Sequence, residues 1–338
     1  MNRSPSRLAQ YAFDATTRLR DLSAHAGLPV RLFARAARRV VAPVLRIVGK
    51  NHVVSAHIYG HALMMPAEHP IAGDLAEYPQ YNRPLGLAME AIAVTHRAQL
   101  SFAVIDVGAN IGETIAIIEQ RLPGVCSYLC VEADSEIAEL CRLNHKGNGR
   151  VEVEQSFIGE HEGTPVWLED DGRANPATKL AGEQHVPDDL GGRLVRLDTI
   201  GGPFAASKGC LSLLKVDTEG YDFSVLRSAP ELLAAYKPGI YFEWFPELLL
   251  GLHEEVWDGF DYLTTLGYRY FVFFTNKGSY HCQVSDPDRL FLRSLASVAL
   301  SDRSFGYFDV FASTQKAVCD ALVESSIAIL DRQRSGVA

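Results

Sequence analysis

The sequence predicts an α/β fold: an open, doubly wound, mostly parallel sheet with helices on both faces. Three observations lead there. Apolar runs of strand length recur along the chain, beginning with FAVIDV at 102–107 and SYLCVE at 127–132. Between these two stands a helical spacing, Ile115, Ile118 and Leu122, and after them another, Ile137, Leu140, Cys141 and Asn144. The turn after the first run, Asp106 to Gly112, is rich in glycine and opens into a helix, as ligand-binding turns of parallel sheets do.

The composition agrees. The 338 residues are 47% hydrophobic and 22% charged, which excludes a disordered or collagen-like chain. The longest apolar stretch, 241–252, is interrupted by Glu243 and Glu247 and falls short of the roughly 20 residues of a bilayer span, so no transmembrane helix is expected. Six scattered cysteines without a C-x-x-C pair read as reduced thiols of a cytoplasmic protein.

The net charge of -9 is unevenly divided. Residues 1–50 hold ten Arg or Lys against Asp14 and Asp21, net +8, so the other 288 residues carry -17. An acidic body disfavours a nucleic-acid substrate. Within the basic segment, Arg31, Arg35, Arg38, Arg39 and Arg46 fall near one helix face and Leu32, Phe33, Val40 and Val41 near the other, with Pro43 breaking the regularity. Such a helix either packs its apolar side on the following domain or on a second subunit, giving a homo-oligomer, or lies on anionic lipid at the inner membrane face. The first 27 residues lack the continuous apolar core of a cleavable signal peptide.

Residues 51–100 read as a structured lead-in: a strand at 53–59, the aperiodic run MMPAEHPIAGDLAEYPQYNRP, and a helix at 85–97. The main domain follows at 101–315. Its further strands are expected at 151–158, 211–217, 239–245, 268–274 and 307–313, with helices near 222–235 and 254–266. From Gly159 to Gly209 the chain is rich in Gly, Pro, Asp and Glu, with strand candidates at 164–168 and 193–198. It reads as an insertion or hairpin region at the ligand edge. A C-terminal segment, 316–338, supplies a last helix over about 315–333.

Ligands of parallel sheets bind beyond the carboxyl ends of the strands. There the first strand offers Asp106, Gly108, Asn110 and Gly112. Gly108 permits a turn that a side chain would obstruct, Gly112 lets backbone approach a ligand, and Asp106 suits a cationic ligand better than a pyrophosphate. The spacing is G-x-N-x-G and not the G-x-G-x-x-G of a dinucleotide site, so an NAD(P)-dependent oxidoreductase is the weaker reading. The second strand ends in Glu132, with Asp134 close behind, where an acid commonly binds ribose hydroxyls. A plain strand-to-helix turn has a similar glycine pattern.

The stretches VIDVGANIGET, CVEADSEIAELCRLN, LLKVDTEGYDFSVLRSAPELL and PGIYFEW together resemble the FkbM family of S-adenosylmethionine-dependent methyltransferases. They carry its D-x-G-A-N-x-G turn and its K-[IV]-D-x-E-G block, here Lys215 to Gly220. The resemblance covers about residues 101–245, with Ala133 where the family often has Pro, and the lead-in run is similar to a segment preceding the domain in some members. It implies a class I, Rossmann-like methyltransferase fold behind an N-terminal helical or irregular extension. The implied cofactor is S-adenosyl-L-methionine, and the implied reaction is O-methylation of a small-molecule or glycan acceptor, as in polysaccharide or secondary-metabolite biosynthesis. Asp106, Gly108, Asn110 and Gly112 would surround the methionine part of the cofactor, Glu132 and Asp134 the ribose, and Ser156 and Phe157 the adenine. A methyltransferase-like binding protein without catalysis is the non-enzyme alternative, which retention of this residue set argues against.

Methyl transfer to an alcohol asks the protein to align two partners and to relieve the acceptor of its proton. Lys215, Asp217 and Glu219 alternate at the end of the fourth strand and are the candidates. Asp217 would position cofactor or acceptor, and Asp217 or Glu219 would take the proton. Glu243 ends the fifth strand and would line the acceptor pocket, with Trp244 and Phe245 as apolar walls. Structural roles compete with each of these: a helix cap or an ion pair with Lys215 for Asp217, a cap for Glu219, and hydrogen bonds to loop amides for Glu243. No histidine spacing marks a metal site and none is expected. Cys126 and Cys130 lack the third cysteine of radical S-adenosylmethionine chemistry.

Overall fold

The computed structural model describes residues 4–49, 52–169, 177–180, 191–301 and 305–334. An N-terminal unit comes first: β1 (Ser4–Pro5), the helices α1 (Arg7–His25) and α2 (Leu28–Gly49), and the hairpin β2 (His52–Ile58) and β3 (His61–Pro66). The helices α3 (Ile71–Glu77) and α4 (Arg83–Thr95) lead to the main sheet. There β4 (Phe102–Val107), α5 (Glu113–Glu119), β5 (Cys126–Glu132), α6 (Ser135–Asn144) and β6 (Val151–Gln155) alternate. A small sheet of β7 (Phe157–Ile158), β8 (Pro165–Glu169), β9 (Ala177–Leu180) and β10 (Gly191–Val195) follows, then α7 (Leu197–Lys208). The second half runs β11 (Leu213–Val216), α8 (Asp222–Arg227), α9 (Pro230–Tyr236), β12 (Gly239–Trp244), α10 (Pro246–Gly251) and α11 (Asp258–Thr265). It ends with β13 (Tyr270–Thr275), β14 (Tyr280–Ser285), α12 (Arg289–Ser301), β15 (Phe308–Ser313) and α13 (Lys316–Arg334).

The main sheet has the order β14-β13-β15-β12-β11-β4-β5-β6. The five strands from β12 to β6 are mutually parallel, and β15 enters antiparallel between β12 and β13. This is the class I methyltransferase arrangement: three strands built outward from β4 in one direction, then a return to β11 on its other side. The reversal leaves a crevice between the carboxyl ends of β4 and β11, where an open α/β sheet binds its ligand. One core lies between the sheet and α7, α8, α9, α11 and α12, and the other between the sheet and α4, α5 and α13. The β2–β3 hairpin packs a third core against α5 and α6. Among the described residues, no helix is long and apolar enough to cross a membrane.

Several sequence expectations change in the folded chain. The strand expected at 151–158 divides at Ser156: β6 closes the main sheet with an exposed pattern, while Phe157 and Ile158 pair with β10. The helix expected at 222–235 breaks at Ser228–Ala229, because Pro230 removes an amide and disfavours helical backbone at the residue before it. The helix expected at 254–266 begins only at Asp258. The 159–209 region holds the small sheet, and also α7, whose Gly201 sits so close to Ile105 and Leu232 that a side chain there would press on both. Residues 170–176 and 181–190 of that region lie outside the described residues. Helix α2 continues through Pro43 to Gly49; of its expected apolar side, Leu32, Phe33 and Val40 are exposed and Val41 is half-buried, while Ala34 and Gly49 are buried and Leu45 packs on the third core.

Candidate active site

The sheet register assembles the site. Parallel pairing sets Asp106 beside Lys215, and Lys215 beside Tyr241. Two residues further on, antiparallel pairing sets Glu243 opposite Asp309. Residues two apart on a strand share a face. Asp106, Lys215 and Tyr241 therefore form one tier, and Asp217, Glu243 and Asp309 a second tier above it, at the carboxyl edge on the α4 and α13 side.

Lys215 is the hub of the lower tier. Its Nζ donates to the carbonyl of Gly108 at 3.0 Å and lies 3.0 Å from Asp106 Oδ1 and 3.5 Å from Asp217 Oδ2. The Gly108 carbonyl takes the hydrogen bond, and the two carboxylates face the ammonium as ion-pair partners. Burial works against its charge, but Asp106, Asp217 and Glu113 outweigh it and hold Lys215 well above the ordinary lysine range. Burial also raises Asp106, against the pull of Lys215. Lys215 thus ties the turn after β4 to the end of β11 across the crevice.

The two glycines have separate reasons. A Cβ on Gly108 (φ +78) would overlap the carbonyl oxygen of Asp217, so only glycine lets the β4 turn and the β11 end approach this closely. At Gly112 (φ +84) a Cβ would meet His145 and Cys141 of the α6 region. His145 Nε2 donates to the Gly112 carbonyl at 2.9 Å. Asn110 also has left-handed backbone (φ +49), a conformation Asn tolerates better than most residues. Its amide donates to Glu132 Oε2 at 2.8 Å, and the Asp134 amide donates to Glu132 Oε1 at 2.9 Å. The acid at the end of β5 is thereby turned toward the Gly108–Gly112 turn.

The upper tier is acidic and partly closed. Asp217 is its open member, with a side chain 46% exposed. Burial first, then Asp217, Glu219, Asp222 and Asp309, push Glu243 well above the usual carboxylate range, and its Oε2 is buried without a hydrogen-bond partner. Asp222, absent from the sequence candidates, organises the loop: it accepts from the Thr218 amide and hydroxyl and from the Glu243 amide. Glu219 sits in that loop with left-handed backbone (φ +51), next to Gly220. Tyr81 and Tyr307 border the acids, and burial with the charge of Asp217, Asp309 and Glu243 keeps both phenols protonated. The lead-in covers this edge, since His69 Nε2 meets Asn110 Oδ1 at 3.1 Å and Tyr81 follows on the same segment.

Other sequence candidates lie elsewhere. Trp244 is no pocket wall: it is fully buried in the core, its Nε1 donating to the Val256 carbonyl, with Phe260, Phe273 and Phe308 around it. Phe245 does reach the site edge, against Tyr307. Asp134 caps α6, its Oδ1 accepting from the amides of Glu136 and Ile137. Ser156 stands beside Glu132, whose carbonyl accepts its amide, whereas the Phe157 ring packs into the small sheet under Gly192. Asp309, Asp222, Tyr81, Tyr307 and His69 escaped the sequence reading. Only for Asp222 was there a local signal, the acid that follows the turn Thr218–Tyr221.

Burial pushes Glu113, Asp222 and Asp309 up to about 8 and Glu132 up to about 7, from ordinary values of 4.5 for Glu and 3.8 for Asp. Folded values raised above unfolded ones mean that the fold holds protons that the unfolded chain releases. The stability these groups contribute is therefore fully present below about pH 4 and is lost as the pH rises through about 8. The melting temperature of the cofactor-free protein is expected to fall from about pH 6 to about pH 8.5 at constant ionic strength, and less steeply in Asp309→Asn. Equal slopes in the variant and the parent would exclude Asp309 from the set.

Residues 106–270 match the profile of the Methyltransferase FkbM domain. No curated protein sequence gives a significant match. Among solved structures the chain is similar to a methyltransferase FkbM from Methylobacillus flagellatus, at 15% identity and a TM-score of 0.37, over 89% of this chain and 59% of that one. It thus spans little more than half of that protein's length. It is also similar to an O-methyltransferase from Bacillus cereus in complex with SAH, at 10% identity and a TM-score of 0.35, over 68% of this chain and 80% of that one. A precorrin-6y C5,15-methyltransferase from Geobacter metallireducens gives 10% identity and a TM-score of 0.32, over 68% and 86%. The profile match takes in both strand-end motifs, Asp106 to Gly112 and Lys215 to Gly220, which the fold brings to one crevice. Residues 106–270 of this chain are an FkbM methyltransferase domain.

Proposed function

We propose that the chain transfers a methyl group from S-adenosylmethionine to a hydroxyl of a glycan or a secondary metabolite. The observation that carries this reading is the acidic tier at the switch point, with Asp217 half-open between the Gly108 turn and the buried pair Glu243 and Asp309. The residues fit the cofactor. Glu132 engages two amides and keeps its remaining lone pairs for ribose hydroxyls. Ser156 is placed beside it for the adenine side, and the acids around Asp217 suit a sulfonium better than an anion. When bound, S-adenosylmethionine supplies a methyl group already activated for displacement. Asp217 accepts the proton of the acceptor hydroxyl, with Glu219 as the second candidate base. Lys215 fixes Asp217 in place, and Glu243, kept neutral, donates a hydrogen bond that orients the acceptor. All six cysteines are free thiols, which supports a cytoplasmic setting.

Calorimetric titration with S-adenosylhomocysteine tests the cofactor assignment. Wild type is expected to bind at micromolar concentration and Glu132→Ala at least about tenfold more weakly, the loss of about 1.4 kcal/mol of hydrogen bonding to a charged group. A melting shift with NAD and none with S-adenosylhomocysteine would move the reading to an oxidoreductase. No response to either would favour the non-catalytic binding protein.

A further inference from the structure

Residues 61–70 precede the family domain, yet they are fastened to two successive residues of the turn after β4. Asn144, the last residue of α6, ties β3 to Ile111. Its Oδ1 accepts from the Met64 amide at 2.7 Å, and its Nδ2 donates to the carbonyls of Met64 at 2.9 Å and Ile111 at 3.0 Å. In the turn between β3 and α3, half-buried His69 meets the neighbouring Asn110. The imidazole is held at both nitrogens. The Ile71 amide donates to Nδ1 at 3.3 Å, so Nδ1 carries no proton, and Nε2 is the nitrogen that donates to Asn110 Oδ1 at 3.1 Å.

Asn110 is the joint between that histidine and the crevice. Its backbone is left-handed and its amide donates to Glu132 Oε2, so whatever fixes its side chain also steadies the hydrogen bond that orients Glu132. With Oδ1 committed to His69, the Nδ2 arm of the planar carboxamide is accessible and has no hydrogen-bond partner among the described residues. The crevice beside it is acidic, and its cation, Lys215, is engaged by Asp106, Asp217 and the Gly108 carbonyl. A neutral donor there suits the carboxylate at the methionine end of S-adenosylmethionine, which the acids repel. We propose that His69 is a positioning residue of the cofactor site: by holding Asn110 Oδ1 it steadies the left-handed turn and leaves Asn110 Nδ2 to donate to the cofactor's carboxylate. His69 thereby extends the S-adenosylmethionine reading, on which its role rests, to a residue outside the family domain.

S-adenosylhomocysteine, which carries the same carboxylate, is titrated calorimetrically into the full chain and its variants, and the ligand-free melting temperature of each checks that it is folded. His69→Leu keeps bulk and loses the donor, whereas His69→Gln keeps an N–H donor. Asn110→Gly removes the carboxamide at a position where glycine takes left-handed backbone without strain. His69→Leu and Asn110→Gly are each expected to bind about five- to tenfold more weakly than wild type, the range of one lost hydrogen bond. His69→Gln is expected to stay within about twofold of wild type, since its amide supplies the donor that Leu lacks. The double variant His69→Leu/Asn110→Gly is expected within about twofold of Asn110→Gly alone, because the histidine acts through the asparagine. A packing role predicts the reverse order, with Leu tolerated and Gln not. His69→Leu or Asn110→Gly binding as wild type does, His69→Gln binding no better than His69→Leu, or losses that multiply in the double variant overturn the proposal and leave the cofactor reading standing. Folded wild type that does not bind overturns both.

Discussion

Lys215→Met is expected to destabilise the domain by about 3–5 kcal/mol, the cost of removing one partner from a buried ion pair. That is a large part of the roughly 5–15 kcal/mol by which a domain is stable. The reason is local and specific. Asp106 is almost wholly buried, and Lys215 is its ionic partner as well as the donor that holds the Gly108 carbonyl. Without the ammonium, Asp106 avoids a bare buried charge only by taking up a proton. The destabilisation should therefore be smaller at about pH 5 than at about pH 8, because the variant's Asp106 binds a proton in the fold that the unfolded chain has released. The double variant Asp106→Asn/Lys215→Met should recover part of the loss, since neither charge is then left alone. Denaturant midpoints at the two pH values measure this. A wild-type midpoint in Lys215→Met would mean that the pair does not lock the switch point.

The second large effect concerns turnover. Asp217→Asn is expected to lower kcat by about 10²- to 10⁴-fold, the range for removing a positioned general base, with S-adenosylhomocysteine affinity and melting temperature nearly unchanged. Asp217 is the half-open carboxylate of the upper tier, so its amide costs little in folding. Glu243→Gln should cost less than about tenfold, because an amide resembles the protonated acid that burial and its four acidic neighbours enforce. Single-turnover rates with any accepted substrate decide the order. If Glu243→Gln is the more damaging, Glu243 is ionised in the working complex and the roles exchange. If Asp217→Asn is fully active and Glu219→Gln is not, the base is Glu219.

The parallel half of the sheet was legible in the sequence because its strands are buried on both faces and so appear as unbroken apolar runs, as in β4, β5, β11 and β12. Strand β14 was not, since it is an antiparallel edge strand with an intermediate, unpatterned burial. Nor was α7, whose glycines and Pro203 contradict helical propensity and whose helix is held by packing under β4. The amphipathic character of α2 was legible, but not which side faces the protein: hydrophobic spacing gives a stripe its existence and not its direction.

The site divides in the same way. Asp106, Gly108, Asn110, Gly112 and Glu132 were found from sequence because each belongs to a short segment, a strand end and the turn after it, where spacing and conformation are local properties. By itself the sequence determined the family of the domain at 106–270, the order of its main elements and the two strand-end motifs. Only the tertiary structure decided that Asp309 stands opposite Glu243, because β15 enters antiparallel between β12 and β13. It also decided that Lys215 spends its charge on Asp106, Asp217 and the Gly108 carbonyl, that Trp244 belongs to the core, and that the lead-in brings His69 and Tyr81 over the sheet edge. Those outcomes depend on which strands become neighbours and on what burial does to a charge. Both are properties of residues far apart in the chain that meet only after the whole sheet has closed.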